Sequence, residues 1–222
     1  MNKVLIIGAS RGIGLEFVRQ YRQAGDAVTA TARSVEGLAR IEAMGAQALT
    51  LDVADAVSAA SLASALAGQR FDVVVHNAGV IGPRTPGLQA PTAEEFDSVM
   101  HTNLLGAMRV LPQLVDLLAP AAKLAVISSR MGSMGLRAAA SNWLYRASKA
   151  ALNSVLKDAS LAFDGQAICV AFHPGWVRTD MGGSGADLDV ATSVADMRRT
   201  LAALQAADNG SFFNHDGSAL AW

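Results

Sequence analysis

The stretch GASRGIG, residues 8–14, follows a short apolar run and decides how the rest of the chain is interpreted. It contains two patterns at once. Gly8, Ser10 and Gly12 form the G-x-S-x-G of a hydrolase nucleophile elbow, whereas Gly8, Gly12 and Gly14 form a glycine-rich turn that can cradle a dinucleotide phosphate. Both patterns need a strand before them and a helix after them. The remaining sequence must therefore distinguish a nucleophilic serine from a loop whose backbone binds a ligand.

The elbow interpretation requires an acid and then a histidine later in the chain. Asp72 or Asp180 with His173 or His215 meets that requirement, but such residues are common enough to meet it by chance. An elbow of the α/β-hydrolase type also follows a strand deep in the sheet order, whereas this loop follows the first strand. The elbow is therefore the less favoured interpretation.

The dinucleotide interpretation gives each glycine of the loop a purpose. Gly8 makes the turn, Gly12 lets the backbone approach the pyrophosphate, and Gly14 allows close packing of the helix on the strand. The helix that begins near Gly12 directs its unpaired N–H groups at the phosphate. Ser10 is then a loop residue and not a nucleophile.

Short apolar runs alternate with helical patterns along the whole chain. Runs that are apolar at nearly every position indicate strands buried on both faces of a parallel sheet. The alternation predicts an α/β fold: a single Rossmann-type domain over residues 1–222, with a doubly wound parallel sheet of about seven strands and helices on both faces. The predicted strands are 4–8, 27–32, 46–53, 71–76, 123–129, 166–173 and 211–214, and the two long predicted helices are Glu94–Leu118 and Tyr145–Ala162.

Composition excludes several classes of function. The formal net charge is −1, and no basic cluster exceeds Arg198-Arg199, so neither nucleic acid nor an anionic membrane is an expected partner. The single cysteine, Cys169, lies in an apolar run and permits no disulfide framework or zinc pattern. The four histidines lack paired ligand spacing, so no metal site is expected. The apolar run before Gly8 is too short for a signal peptide, and we expect a soluble cytoplasmic protein.

Three motifs occur in order: Gly8-x3-Gly12-Ile13-Gly14, Asn77-Ala78-Gly79 and Tyr145-x3-Lys149. Together they resemble the short-chain dehydrogenase/reductase family over the whole chain. The segments 128–133, 145–150 and 216–222 resemble in particular its C-factor-like and carbonyl-reductase-like branch. The resemblance implies hydride transfer with a nicotinamide cofactor. It also implies a homodimer or homotetramer formed through the two long helices.

Tyr145 and Lys149 lie four residues apart, on one face of a helix. A free tyrosine has a pKa near ~10, too high for efficient proton exchange at neutral pH. We expect the neighbouring ammonium, together with a cationic nicotinamide in the oxidised state, to lower the pKa of Tyr145, which can then act as general acid or base. The family resemblance implies that Lys149 also binds the nicotinamide ribose.

Ser129 ends an apolar strand, at the edge where ligands bind in open α/β sheets. Its hydroxyl can donate to the substrate oxygen as negative charge develops there. The spacing from Ser129 to Tyr145 is a few residues longer than the family's usual one, so Ser133 is a rival; Ser129 is preferred. By resemblance, Asn103 of the pattern Asn103-x2-Gly106 positions a water beside the lysine.

The charges around the glycine loop favour NADP(H) over NAD(H). The second predicted strand ends Thr31-Ala32-Arg33-Ser34, with no acid to bind a ribose 2′-hydroxyl. Arg11 and Arg33 are placed where they can clamp a 2′-phosphate.

By resemblance, Asp52 and Val53 meet the adenine, Asn77-Ala78-Gly79 supports the adenosine side, and the segment from Pro174 to Thr179 closes over the nicotinamide. His76 stands where the family often has asparagine. The predicted cofactor-binding residues are Gly8, Ser10, Arg11, Gly12, Ile13, Gly14, Arg33, Asp52, Val53, Asn77, Ala78, Gly79, Tyr145, Lys149, Pro174, Gly175, Val177 and Thr179.

The sequence thus predicts an NADPH-dependent reductase of a small carbonyl compound, such as an aldehyde, ketone or quinone, or the reverse reaction on an alcohol. A short substrate loop is expected at about 176–190. Met131, Met134, Trp143 and Trp176 are candidates for an apolar substrate pocket. The alternative is an NADP(H)-binding sensor or signalling protein on the same fold. The complete set Asn103, Ser129, Tyr145 and Lys149 favours the enzyme.

Overall fold

A seven-stranded parallel sheet forms the centre of the computed structural model, which describes residues 1–222. Its strand order is β3-β2-β1-β4-β5-β6-β7, and each neighbouring pair runs parallel. The predicted fold is therefore confirmed. The strands are β1 (Lys3–Ile7), β2 (Ala27–Ala32), β3 (Gln47–Thr50), β4 (Phe71–His76), β5 (Leu118–Ile127), β6 (Ala167–His173) and β7 (Ser211–Asn214).

Helices cover both faces of this sheet. On one face, Val74 packs with Val110 and Leu152. On the other, Val75 packs with Phe17 and Val194. The α-helices are α1 (Gly12–Gln23), α2 (Val35–Glu42), α3 (Ala56–Ala60), α4 (Leu62–Ala65), α5 (Ala93–Met100), α6 (Gly106–Val110), α7 (Trp143–Ala162) and α8 (Val190–Ala203). None of them is both long and apolar enough to cross a membrane.

The chain order reverses direction in the sheet between β1 and β4. From β1 the chain moves outward through β2 to β3, then returns to place β4 on the other side of β1. Connections on the two sides diverge there and leave a crevice outside the carboxyl ends of the strands, where open α/β sheets bind ligands.

The single long helix predicted over Glu94–Leu118 is wrong. The structure has α5, then a π-helical turn (His101–Leu105), α6 and a 3₁₀ segment (Leu111–Leu117), and Leu118 already begins β5. Pro112 near the start of the 3₁₀ segment lacks the N–H that a regular α-helix needs. The π-helical turn buries the side chain of Asn103 completely.

Four predicted strands also have different bounds, by one residue at each end in β1, by one residue at the start of β6 and by more in β3 and β5. Strand β3 ends at Thr50, so Asp52 and Val53 lie in the following loop and not in the strand. Strand β5 begins at Leu118, because its register with β4 shifts between Phe71 and Val73. That irregularity accommodates Pro120 and the positive φ of Ala121, which interrupt the sequence pattern.

Candidate active site

A cavity of about 460 Å³ lies at the carboxyl ends of the central strands. Most of the predicted cofactor-binding residues line it; Gly14, Gly175 and Val177 do not. Nine further lining residues were not among the predicted cofactor-binding residues. The lining consists of Gly8, Ser10, Arg11, Gly12, Ile13, Ala32, Arg33, Leu51, Asp52, Val53, Asn77, Ala78, Gly79, Val80, Thr102, Ile127, Ser128, Tyr145, Lys149, Pro174, Arg178, Thr179, Asp180 and Met181.

The additional lining residues have a simple signal in retrospect. Ala32, Leu51 and Ile127 stand at or just beyond the carboxyl ends of strands, next to residues that were predicted. Arg178 and Met181 belong to the segment after Pro174. Neither residue is part of a recognisable sequence motif. The first group could have been predicted from its position at the strand ends. The second group could not, because its place in the cavity depends on how the segment after Pro174 folds.

The glycine loop connects β1 to α1 and packs directly against the Asn77-Ala78-Gly79 motif. Asn77 Nδ2 donates a hydrogen bond to the Gly8 carbonyl at 2.6 Å. A Cβ on Gly8 would lie 2.7 Å from the Ala78 Cα, and one on Gly14 would lie 2.2 Å from the Gly8 oxygen. Glycine at position 8 is thus required for the two motifs to meet. Gly14 is required because the first turn of α1 packs closely against the Gly8 carbonyl.

The loop fits a dinucleotide phosphate. Gly12 has φ +54°, which favours glycine, and it faces Thr179 from the segment after β6. No side chain caps α1, and its first turn contains no acid, so its N-terminal N–H groups are available to an anion.

Ser10 lacks the partners of a nucleophile. His215 Nδ1 is paired with Asp196 at 2.9 Å, and His173 Nδ1 has no partner. The Ser10 carbonyl accepts a hydrogen bond from Arg40 Nη1 at 3.1 Å. These surroundings give Ser10 none of the partners that the elbow interpretation requires.

Cationic groups surround the outer part of the cavity. Arg33 and Arg178 line it, together with Arg11, whose Nη1 lies 2.7 Å from Asp180 Oδ2. The side chains in this pair are mostly exposed. The cavity therefore combines a helix N-terminus with several guanidinium groups, as expected for a site that takes a phosphorylated ligand.

Helix α7 brings Tyr145 and Lys149 to the inner end of the cavity. They are 8% and 4% exposed, and Lys149 Nζ lies 5.8 Å from the centre of the Tyr145 ring. Lys149 Nζ also donates to the Ile127 carbonyl at 2.8 Å. Burial lowers the pKa of Lys149 to about 8, so a substantial fraction is charged at neutral pH.

The electrostatics of Tyr145 differ from the sequence expectation. Burial raises the pKa of Tyr145 to about 12, and the neighbouring Ser129 hydroxyl acts in the opposite direction. Lys149 does not contribute to lowering that pKa in this structure. Removal of the phenol from water is the dominant cause, so the expected lowering by Lys149 is not found in the protein chain alone.

The two candidate serines have different surroundings. Ser129 follows β5, accepts a hydrogen bond from the Met131 N–H at 3.1 Å and lies close enough to Tyr145 to lower the pKa of its phenol. Ser133 is completely buried, and its hydroxyl donates to the Ala221 carbonyl at 2.7 Å. Ser133 thus anchors a different part of the chain, while Ser129 faces the tyrosine.

Asn103 joins the remaining motifs. Its Oδ1 accepts a hydrogen bond from the Val80 N–H at 2.7 Å, and its Nδ2 donates to the Val80 carbonyl and to Ser148 Oγ. A Cβ on Gly79 would lie 3.3 Å from both Asn103 Oδ1 and Lys149 Nζ. The π-helical turn, the strand-end motif and the α7 lysine therefore meet at one point, and π-helical turns are frequent at functional sites.

A glycine-rich phosphate loop at a sheet crevice, with a buried tyrosine and lysine at its inner end, defines a dinucleotide-dependent oxidoreductase of the α/β class. The family model for short chain dehydrogenases matches residues 2–187, and the chain belongs to that family.

Particular relatives share most of the chain. C-signal of Myxococcus xanthus is 34% identical over 154 residues, which are 68% of this chain and 92% of the relative. The carbonyl reductase Sniffer of D. melanogaster superposes with a TM-score of 0.92 at 30% identity, covering 100% of both chains. The NADPH-bound carbonyl reductase from chicken fatty liver gives a TM-score of 0.88 at 30% identity, covering 100% of this chain and 99% of that one.

Proposed function

We propose that the protein is an NADP(H)-dependent reductase that transfers hydride between the nicotinamide and a small carbonyl or alcohol substrate. The observation that carries the proposal is the placement of buried Tyr145 and Lys149 together in the cavity, with Lys149 Nζ 5.8 Å from the centre of the Tyr145 ring and Ser129 close enough to lower the pKa of the phenol. The similarity to an NADPH-bound carbonyl reductase supports the cofactor and the substrate class.

In this proposal the glycine loop and the N-terminus of α1 hold the pyrophosphate, and Asp52 and Val53 meet the adenine. Arg11 and Arg33 bind the 2′-phosphate. Gly175 and Val177 support Pro174 and Thr179 from behind, because these two line the cavity and the former two do not. NADP(H), when bound, supplies or accepts the hydride.

Tyr145 transfers the proton at the substrate oxygen, and Ser129 donates a hydrogen bond to the same oxygen. Lys149 holds a positive charge beside the phenol, which favours the phenolate over the phenol once substrate reaches the ring. Burial of Tyr145 keeps water from competing for its proton. Asn103 fixes the backbone at Val80 and helix α7 through Ser148, and so keeps Lys149 in place.

We further propose that residues 1–222 act as one unit, with 176–190 as the substrate loop, in a cytoplasmic homodimer or homotetramer. Met181 lines the cavity, and Trp176 Nε1 donates to the Gly182 carbonyl at 2.9 Å, which orders that loop at the cavity's edge.

The test compares Tyr145→Phe with Tyr21→Phe, since these are the two tyrosines of the chain and both are buried. NADPH oxidation is followed against a panel of aldehydes, ketones and quinones. Tyr145→Phe should lose at least ~10²-fold in kcat while its NADPH affinity is kept. Tyr21→Phe should retain turnover. Equal turnover by wild type and Tyr145→Phe would refute the role of Tyr145.

A second candidate is an NADP(H)-binding signalling protein, which the similarity to C-signal favours. Fold and cofactor binding alone do not distinguish it from the enzyme. This alternative would be supported if the wild-type protein binds NADPH tightly but reduces none of the carbonyl compounds in the panel.

A further inference from the structure

Helix α7 carries a third polar residue on the face of the two candidate catalytic groups. Tyr145, Lys149 and Asn153 are spaced four residues apart, so they form one stripe toward the sheet. Asn153 is buried, and its Oδ1 accepts a hydrogen bond from Ser128 Oγ. Its Nδ2 has no hydrogen-bonding partner in the protein.

Strand β4 presents His76 to the same region. His76 pairs with Ile7 of β1 and Val126 of β5, and it lies on the face of Val74, which packs against α7. It is 1% exposed, and both ring nitrogens lack a partner in the protein. Burial, with the nearby charge of Lys149, lowers the pKa of His76 to about 4, so the imidazole is neutral.

These groups have complementary hydrogen-bonding capacity. A neutral imidazole offers one donor and one acceptor, and the free side of the Asn153 amide offers donors. The ammonium of Lys149 uses one donor on the Ile127 carbonyl and keeps two. Polar groups buried to this extent are normally satisfied by protein or by ordered water.

We propose that His76, Asn153 and Lys149 bind an internal water between β4 and α7, and that this water fixes the ammonium of Lys149 from behind the cavity. His76 and Asn153 are then positioning residues. They lie outside the cavity lining, and the site is distinct from Asn103, whose amide is occupied by Val80 and Ser148. Only the catalytic benefit rests on the proposed function; the water site does not.

Few other titratable groups can influence the pKa of Lys149. The titratable side chains facing it are Tyr145 on its own helix and His76 on β4. Strands β1 and β5 present Ile7, Val126 and Ser128, and the π-helical turn presents Asn103; none of these titrates. A change in the pKa of Lys149 on altering His76 can therefore be assigned to the loss of the imidazole and of the water it holds.

The test uses His76→Leu, Asn153→Leu, the double variant, and His76→Asn, which keeps a donor and an acceptor. His101→Leu is the matched control on an exposed histidine. Two quantities are measured: the urea midpoint of unfolding, and the pKa of Lys149 by NMR titration of the apo protein. Neither needs turnover, so failure of the proposed reductase activity is distinguishable from failure of the water site.

The water accepts from the ammonium and so favours its charged form. His76→Leu should therefore lower the pKa of Lys149 by about one unit, a tenfold change in its protonation equilibrium, and should lower the unfolding midpoint. The double variant should lose less than the sum of the single losses, because both residues share one water. His76→Asn and His101→Leu should resemble wild type in both measurements.

The proposal is overturned by any of three results. One is an unfolding midpoint of His76→Leu at or above that of wild type, as expected when an unpartnered polar group is removed. Another is additive stability losses in the double variant. The third is an unchanged pKa of Lys149.

Discussion

Arg11 and Asp180 are joined by an ion pair of 2.7 Å that connects the glycine loop to the segment after β6. Both residues line the cavity. The sequence predicts Arg11 as a ligand of the 2′-phosphate, but it does not reveal that a carboxylate competes for the same guanidinium. Binding of a 2′-phosphate by Arg11 therefore has to weaken or share this contact.

Asp180→Asn should tighten NADPH binding by about two- to fivefold. The pair is mostly exposed, so its free energy is at most about 1 kcal/mol, which sets the size of the effect. NADH lacks the phosphate and should gain less. Kd values for both cofactors by fluorescence titration provide the measurement. Asp187→Asn, on an exposed aspartate of the same segment, is the control. Weaker NADPH binding by Asp180→Asn would count against competition for Arg11.

Arg33→Ala should weaken NADPH binding by about 10- to 100-fold, because a charge-assisted hydrogen bond contributes roughly 1.5–3 kcal/mol. NADH affinity should change little. The ratio of the two Kd values is the decisive quantity, since a general distortion of the site affects both cofactors equally. Arg70→Ala, on an arginine outside the cavity lining, is the matched control. An unchanged ratio for Arg33→Ala would remove Arg33 from the proposed 2′-phosphate site.

Much of the fold follows from sequence because buried parallel strands leave a strong pattern. Strands β2, β4 and β7 have the predicted bounds. The motifs containing Gly8 and Asn77 also meet as their spacing suggests, since strand ends at a switch point must converge.

What the sequence missed depends on three-dimensional context. The irregular start of β5 is hidden by Pro120, and the π-helical turn around Asn103 has no periodic signature. The pKa of Tyr145 is set by its burial, which no spacing argument supplies. Likewise, the partner of Ser133 is a carbonyl distant in sequence, so the two serines look equivalent until the chain is folded.

Ser129→Ala should lower turnover, whereas Ser133→Ala should lower stability. Loss of the Ser129 hydroxyl removes a donor to the substrate oxygen and should lower kcat by about 10²- to 10³-fold, with stability nearly unchanged. Loss of the Ser133 hydroxyl leaves buried groups unpaired and should lower the free energy of unfolding by about 1–3 kcal/mol. Urea unfolding and steady-state kinetics of both variants separate these effects. The reverse pattern would assign the catalytic role to Ser133.

Gly14→Ala should destabilise the protein by at least about 2 kcal/mol, because the new Cβ would overlap the Gly8 carbonyl oxygen at 2.2 Å. Gly14 has no positive φ, so the effect isolates close packing from backbone strain. Gly87→Ala is the matched control, since a Cβ there meets nothing within 4 Å. Urea midpoints give the comparison. A Gly14→Ala variant as stable as Gly87→Ala would contradict the close approach of α1 to the loop.

Stability should fall as pH decreases from about 6.5 to about 4. Burial lowers the pKa values of His76 and His173 to about 4, assisted at His173 by Arg130 and His215. In this window the two imidazoles are protonated in the unfolded chain but remain neutral in the folded state, so the free energy of unfolding decreases with decreasing pH. Each imidazole can contribute up to roughly 3 kcal/mol once pH is below both pKa values.

The window between pH 6.5 and 5 is the most informative, because most carboxylates have not yet titrated there. His173→Gln removes one of the two groups and should reduce the slope of unfolding free energy against pH by about half. His101→Gln, on an exposed histidine, should leave the slope unchanged. Urea unfolding at half-unit pH intervals measures all three proteins. A wild-type stability that stays constant from pH 6.5 to 5 would mean that these imidazoles are protonated in the folded state, contrary to their burial.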